Sequence, residues 1–255
     1  MEHRLIFGDC LEIMKDIPDK SIDMILTDPP YGTTHNKWDS IIPLNKMWKE
    51  LKRIIKTNGA IVMTAGQPFT SNLIMSNTDM FKYCLVWQKS KATNFLNSKK
   101  QPLRKYEDIC VFYSKQPVYN PQMSEGKPYD KGVRKNQQTG SYGDFKPSHV
   151  HSKGLRYPTD VVYFKTAESD GEVYHPNQKP IALMEYLIKT YTNEEDTILD
   201  FTCGSGSTNV AAKNLKRNSI GIDNWFCEKD KIINEISIKG LKWTEITQLR
   251  LDGKI

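Results

Sequence analysis

The sequence predicts an α/β fold with a mostly parallel sheet covered by helices on both faces. Three observations predict it. Short runs rich in β-branched and aromatic residues recur along the chain, and helical periods lie between several of them. Two of these runs stop abruptly at an acid followed by turn residues, in "ILTDPPYG" and in "ILDFTCGSG". Open α/β sheets bind their ligands at such carboxyl ends. Finally, 255 residues are enough for one α/β core and an insertion.

Taken in order, strands are expected at 4–7, 22–27, 60–64, 83–87, 109–113, 197–200 and 219–222. A helix is expected over 44–55, with apolar residues at 44, 47, 48, 51, 54 and 55 and a stop at Asn58-Gly59. A second spans 180–191, opening on Pro180 in a first-turn position. Two more are expected over 210–215 and 229–238. Residues 115–174 break the rhythm with five prolines, six glycines and much Lys, Ser, Asn and Gln. So long a stretch without periodicity reads as a functional insertion. The expected organisation is therefore a first half over 1–114, the insertion over 115–174 and a second half over 175–255.

Composition narrows the class. Mean hydropathy is −0.58, and no apolar run approaches the roughly 20 residues a bilayer span needs. No export signal is visible at "MEHRLIFGDCLE". Five cysteines, at 10, 84, 110, 203 and 227, include no C-x-x-C pair. Neither a disulfide framework nor a metal site is expected, and a cytoplasmic protein fits best. The net charge of +6 is unevenly placed: residues 89–165 hold 15 Lys/Arg against 6 Asp/Glu, and the remainder 21 against 24. A basic middle on a near-neutral body suits a polyanionic partner.

The two strand ends carry the chemistry. In "MILTDPPYG" two prolines remove backbone donors and fix φ, so the chain leaves the sheet stiffly with Asp28 and Tyr31 at its edge. In "TILDFTCGSGSTNVAAKNLKRNSIGIDN" a strand ends at Asp200, Gly204 and Gly206 permit a tight turn, and a helix starts near Ser207. A further strand ends at Asp223, about where a dinucleotide fold holds its ribose. Asn209 replaces the third glycine of G-x-G-x-x-G, and no P-loop lysine follows. An adenosine ribose joined to a small zwitterion fits this pattern better than a pyrophosphate, and S-adenosylmethionine has that constitution.

Together the motifs resemble the amino-methylating DNA methyltransferases, the family acting on N6 of adenine or N4 of cytosine. "DPPY" at 28–31 matches its catalytic motif and "DFTCGSGST" at 200–208 its cofactor motif. "FGDCLE" at 7–12 matches the motif near the cofactor adenine, and "HPNQKP" at 175–180 the one near its methionine end. With the catalytic motif first, the order resembles the β group. The resemblance implies a circularly permuted Rossmann-like sheet with an inserted target-recognition region. It covers nearly all the chain outside 115–174.

It also implies roles. An exocyclic amino nitrogen is a poor nucleophile because its lone pair is delocalised into the ring. Asp28 and the Pro29 carbonyl can hold its hydrogens, Pro30 stiffens that frame, and Tyr31 offers a stacking face for an extruded base. S-adenosylmethionine would be held by Asp9, Cys10, Asp28, Lys179, Asp200, Phe201, Gly204, Gly206, Ser207, Thr208 and Asp223. Duplex DNA would be gripped by Lys131, Arg134, Lys135, Lys153 and Arg156 of the insertion. A second copy of the chain and a restriction endonuclease acting on the same site are the further partners implied. The Asp of the clamp favours adenine as the target. Three alternatives compete with that reading: N4 of cytosine, adenine in RNA, and a silent cofactor-binding subunit.

Overall fold

β1 (His3–Phe7) is followed by a one-turn helix α1 (Cys10–Ile13) and by β2 (Ile22–Thr27). α2 (Leu44–Ile54) runs directly into β3 (Ile55–Ala65), and α3 (Phe69–Met75) precedes β4 (Phe81–Thr93). β4 turns back as β5 (Arg104–Phe112). Four short strands follow: β6 (Ser124–Glu125), β7 (Tyr129–Val133), β8 (His149–Ser152) and β9 (Leu155–Arg156). The chain continues through β10 (Val161–Phe164), α4 (Ile181–Tyr191), β11 (Thr197–Asp200), α5 (Ser207–Asn214) and β12 (Asn218–Asp223). The hairpin of β13 (Ile232–Ile233) and β14 (Ile236–Ser237) precedes α6 (Trp243–Leu251). This computed structural model describes residues 1–133, 148–169, 171–228 and 230–255.

Eight strands form one sheet in the order β1-β12-β11-β2-β3-β5-β4-β10. All its pairings are parallel except the two made by β5. The N-terminal β1 is the edge strand beside β12, so the chain's first strand completes the sheet begun by its last ones. This is the permuted order expected of the motif sequence.

β2 shows why the sheet is covered on both sides. Its Ile22 and Ile25 enter one core with Met47, Trp48 and Leu51 of α2 and Phe69 and Leu73 of α3. Its Met24 and Leu26 enter the opposite core with Leu183, Leu187 and Ile188 of α4 and Ala211 of α5. A strand apolar on both faces belongs inside a parallel sheet. Burying each such large side chain contributes about 1.5–3 kcal/mol. No helix among the described residues is long and apolar enough to cross a membrane.

Two expectations change. The helix expected over 229–238 is the β13–β14 hairpin. Asn234 and Glu235 both sit at positive φ, 47° and 69°, a turn that reverses a strand pair and cannot continue a helix. The segment separating as its own compact unit is Pro121–Thr159, narrower than 115–174. Residues 161–164 instead extend the main sheet as β10, pairing with Val86–Lys89 of β4. Farther along, Tyr174 is buried with Trp243 and Ile246 of α6.

Among the described residues the smaller unit carries two antiparallel ribbons, β6 with β9 and β7 with β8. Arg156 braces it, donating to Ser152 Oγ at 2.6 Å and to the Lys127 carbonyl, with its guanidinium 4.5 Å from the Tyr129 ring centroid. Lys131 also lies over that ring, while Lys131 and Lys153 are both exposed. Arg134 and Lys135 lie outside the described residues.

Candidate active site

The carboxyl ends of β1, β12, β11 and β2 meet along one edge of the sheet, carrying Asp9, Asp223, Asp200 and Asp28 in turn. Asp28 is held from three directions. Its Oδ1 accepts from Tyr31 Oη at 2.7 Å and from Thr64 Oγ1, and its Oδ2 accepts from Lys179 Nζ at 2.6 Å. A carboxylate offers about four acceptor positions, so Oδ2 retains one for another donor. Thr202 Oγ1 donates to the Asp28 backbone carbonyl at 3.2 Å, tying the turn to β11.

Tyr31 stacks on Phe69 of α3, with ring centroids 5.3 Å apart and planes 20° from parallel. Lys179 Nζ lies 5.8 Å from the Tyr31 ring centroid. Burial, and then the nearby Asp28 charge, push the Tyr31 hydroxyl well above the usual phenol range, so it acts as a donor to Asp28. The loop beyond is fixed by Asp39, whose carboxylate accepts from the backbone N–H of Gly32, Thr33 and Thr34 at 2.9, 3.0 and 2.7 Å. Burial alone would raise the Asp39 carboxyl; those bonds and one from the Thr34 side chain outweigh it and lower it.

Lys179 belongs to a row of alternating charges. It faces Asp28 on one side and Glu107 Oε2 at 3.4 Å on the other, and Glu107 Oε1 pairs with Lys89. Burial pulls the Lys179 ammonium down, but the charges of Asp28 and Glu107 overcome it and hold the ammonium above its ordinary value. Burial likewise pushes Glu107 up, and Lys179 and Lys89 reverse that. Glu107 reaches this edge because β5 runs antiparallel, bringing its first residues beside the ends of the parallel strands.

Three cavities follow one another along this edge. The largest, about 530 Å³, is walled by Asp28, Pro29, Pro30, Tyr31, Glu107 and Lys179. A narrow one of about 50 Å³ lies between Asp28, Lys179, Asp200, Gly204, Ser207 and Thr208. The third, about 220 Å³, is lined by Asp9, Cys10, Phe201, Gly204, Asp223 and Trp225. His175 borders all three and packs against Trp38 and Trp243, at 5.2 and 4.6 Å between centroids.

The groups at the two smaller cavities suit a nucleoside joined to an amino acid. Ser207 Oγ is buried with no hydrogen-bond partner among the described residues, beside the narrow cavity. Asp223 accepts from the N–H of Gly204 at 3.0 Å and of Trp225 at 2.8 Å, and burial lifts its carboxyl to about 6. Asp200, buried and bonded to Thr27 Oγ1 at 2.8 Å and Thr202 N at 3.2 Å, is likewise lifted to about 6 by burial. Trp225, Trp243 and His175 give the 220 Å³ cavity flat aromatic walls.

The anticipated residues thus converge with two differences. Gly206 lines none of these cavities: at φ +78°, an added Cβ would fall 2.2 Å from Thr247 Cγ2 of α6. Its lack of a side chain answers to helix packing. Asp9 uses one oxygen to cap α1, accepting from Leu11 N at 2.8 Å and Glu12 N at 3.2 Å. Cys10 is pushed up to about 12 by burial and by Asp9, which leaves it a neutral thiol. Sequence reasoning missed Thr64, Glu107, Asp39 and Thr202. The acid in "RKYEDIC" was the signal for Glu107, hidden because the strand was expected to begin after it.

A family model described as DNA methylase, for N6 and N4 methyltransferases, matches residues 22–228. The type II methyltransferase M.HpaI of Haemophilus parainfluenzae is 29% identical, over 88% of this chain and 70% of its own length. M.HindIII of Haemophilus influenzae is 25% identical, over 92% of this chain and 93% of itself. Among solved structures, the M1.HpyAVI–SAM complex superposes with a TM-score of 0.63 at 23% identity, covering 97% of this chain and 99% of that one. The cytosine-N4-specific PvuII DNA methyltransferase gives 0.65 at 16% identity, covering 99% and 94%. At such identities these likenesses establish a shared fold.

Proposed function

This chain belongs to the N6/N4 family of DNA methylases, and on that premise we propose that it methylates adenine N6 at a defined sequence in duplex DNA. The methyl donor is S-adenosylmethionine, and the enzyme acts in the cytoplasm as the modification half of a type II system. Its partners are the duplex, a second copy of the chain and a restriction endonuclease sharing the site. The observation carrying this reading is the position of Asp28, in the wall common to the 50 and 530 Å³ cavities.

When bound, the donor supplies an electrophilic methyl group on a sulfonium. Asp223 accepts from the ribose hydroxyls, and Ser207, Thr208 and Asp200 surround the amino-acid end. Gly204, with φ +50° and only ordinary contact awaiting a Cβ at His175, lets the backbone approach the donor. On the other side, Asp28 Oδ2 and the Pro29 carbonyl accept the two amino hydrogens of the target base. Held so, the amino nitrogen would present its lone pair to the side on which Asp200, Ser207 and Thr208 would hold the donor. Lys179, donating to Asp28 Oδ2 at 2.6 Å, holds that carboxylate in place as an acceptor. Preorganisation is the main contribution of such a site, since its donors and acceptors need not reorient during reaction.

A second reading is N4 methylation of cytosine, which presents the same amino group beside a ring nitrogen. The likeness to the cytosine-N4-specific PvuII enzyme favours it. Mass spectrometry of nucleosides from DNA modified in a methylation-free host separates the two. N6-methyladenine is expected, and N4-methylcytosine as the sole product would overturn the choice of base.

A further inference from the structure

β4 and β5 extend beyond the rest of the sheet. β10 leaves β4 at Lys89, and β3 pairs with β5 only over residues 108–112, so the hairpin of residues 90–106 runs on past both, tied at its base where Ser90 Oγ accepts from Thr166 N at 3.0 Å and Arg104 donates to the Gln67 carbonyl at 3.5 Å. The hairpin's base is part of the 530 Å³ cleft, through Trp87, Lys89, Thr93, Arg104 and Tyr106. At its tip stand two adjacent large apolar side chains, Phe95 and Leu96, which are 75% and 84% exposed.

The tip is built. Asn94 takes a left-handed conformation at φ +69°, and residues 95–97 form a single 3-10 turn. Asn97 N donates to Asn94 O and Ser98 N to Phe95 O, each at 3.1 Å, and Asn97 Nδ2 donates to Asn94 Oδ1 at 2.8 Å. Around the apolar pair, Lys91, Lys99, Lys100, Arg104 and Lys105 are exposed, and no acid occurs between Lys89 and Tyr106. Exposing Phe beside Leu is costly in water, and such apolar points mark contact sites. Cations on every side select a polyanion as the occupant. Two copies meeting tip to tip would bring like charges together.

We propose that Phe95 and Leu96 form a wedge entering the DNA duplex beside the target base pair, with the surrounding cations on phosphates. This rests on the reading that the chain methylates DNA. The Asp28 side chain is only 25% exposed at the wall of the cleft, so a base must leave the helix to reach it. Extrusion costs a few kcal/mol of lost pairing and stacking. Apolar side chains inserted between base steps offset such unstacking and hold the duplex open. The hairpin places them next to the mouth that receives the base.

The test uses the full chain with Phe95→Ala and Leu96→Ala together, both exposed positions outside the donor cavities. Unmethylated plasmid DNA treated with wild-type protein and tritiated S-adenosylmethionine first reveals the modified site. Short duplexes of that site then carry either the normal pair or a mismatch at the target base. The expected result is a rate about 10- to 100-fold lower on the paired duplex and within about threefold of wild type on the mismatched one, where little pairing need be broken. Donor affinity by calorimetry should be unchanged. Equal loss on both duplexes, or loss on neither, would overturn the wedge. A variant that alters only the oligomeric state would assign the tip to a second copy and overturn it too. A wild-type protein that methylates no DNA would instead bring down the underlying reading, and the wedge with it.

Discussion

Lys179 Nζ lies 2.6 Å from Asp28 Oδ2 across 151 residues of sequence. The contact joins the end of β2 to the residue before the N-cap of α4, and so couples the Asp28 turn to the helix that packs beside β11 and α5. On the proposed function, in which its carboxylate would hold the target amino group, Asp28→Ala should abolish methyl transfer while leaving donor affinity largely intact. Turnover near the wild-type rate would remove Asp28 from the mechanism.

The same pair has a structural consequence. Lys179 is buried, with 8% of its surface exposed, and Lys179→Met strands Asp28 and Glu107 without their shared cation. Breaking one side of a buried pair costs about 3–5 kcal/mol. Asp28→Leu combined with Lys179→Met should cost less than the sum of the two single changes, since residues in one charge network are non-additive. Urea unfolding of the four proteins measures this, and simple additivity would show the pair to be energetically uncoupled.

The donor site should be sensitive to pH. Asp200 and Asp223 both sit near 6 in the folded protein, raised from 3.8 by burial. The folded state therefore binds protons more tightly than the unfolded chain, and these two acids oppose folding above about pH 6. That opposition is relieved as pH falls from about 6 towards 4. Ribose hydroxyls need Asp223 as an anion, so donor affinity should move the other way, weakening as pH drops through about 6. Calorimetry from pH 7.5 to 5 should show the loss, and Asp223→Ala should be weak throughout. A flat wild-type profile would place the ribose elsewhere.

Gly206 is a packing position. Gly206→Ala should lower stability by about 1–3 kcal/mol, the usual cost of overpacking, with added strain from φ +78°. Thr247→Ala should recover part of the loss, because it removes the nearest clashing atom. Thermal melts of the single and double variants decide this. An unchanged melting temperature for Gly206→Ala would contradict the packing account.

On the small unit, Lys131 and Lys153 are exposed, Lys131 with its ammonium over the Tyr129 ring, whereas Arg156 is held by hydrogen bonds to Ser152 and Lys127 as well as by Tyr129. Each phosphate contact contributes about 0.9 to the slope of log affinity against log salt. Replacing both lysines by alanine should flatten that slope by about 2, with donor binding unaffected. Arg156→Ala should chiefly destabilise the unit, seen as increased proteolysis between 121 and 159. An unchanged slope in the double lysine variant would remove these lysines from the DNA path.

The sequence by itself determined the parallel sheet and the acids at its edge, while its permuted order was implied only by the family resemblance. The sheet and its acids are written in short-range features. β2 carries the apolar run Met24-Ile25-Leu26, Asp28-Pro29-Pro30 stiffens its exit, and the glycines around Ser205 mark a turn that side chains would obstruct. Each signal spans under about ten residues, which is the range over which local backbone chemistry acts. Tertiary structure alone decided what those acids touch. Lys179 and Thr64 reach Asp28 from distant elements, and Glu107 joins them only because β5 runs against its neighbours. The same holds for Gly206, whose partner Thr247 lies on a helix with little amphipathic pattern to announce it. At 229–238 the local pattern misled, since isoleucines spaced for a helix also fit a two-strand hairpin once Asn234 and Glu235 adopt positive φ. Periodicity reports which side chains are apolar, while charge pairing and close packing depend on which strands and helices meet.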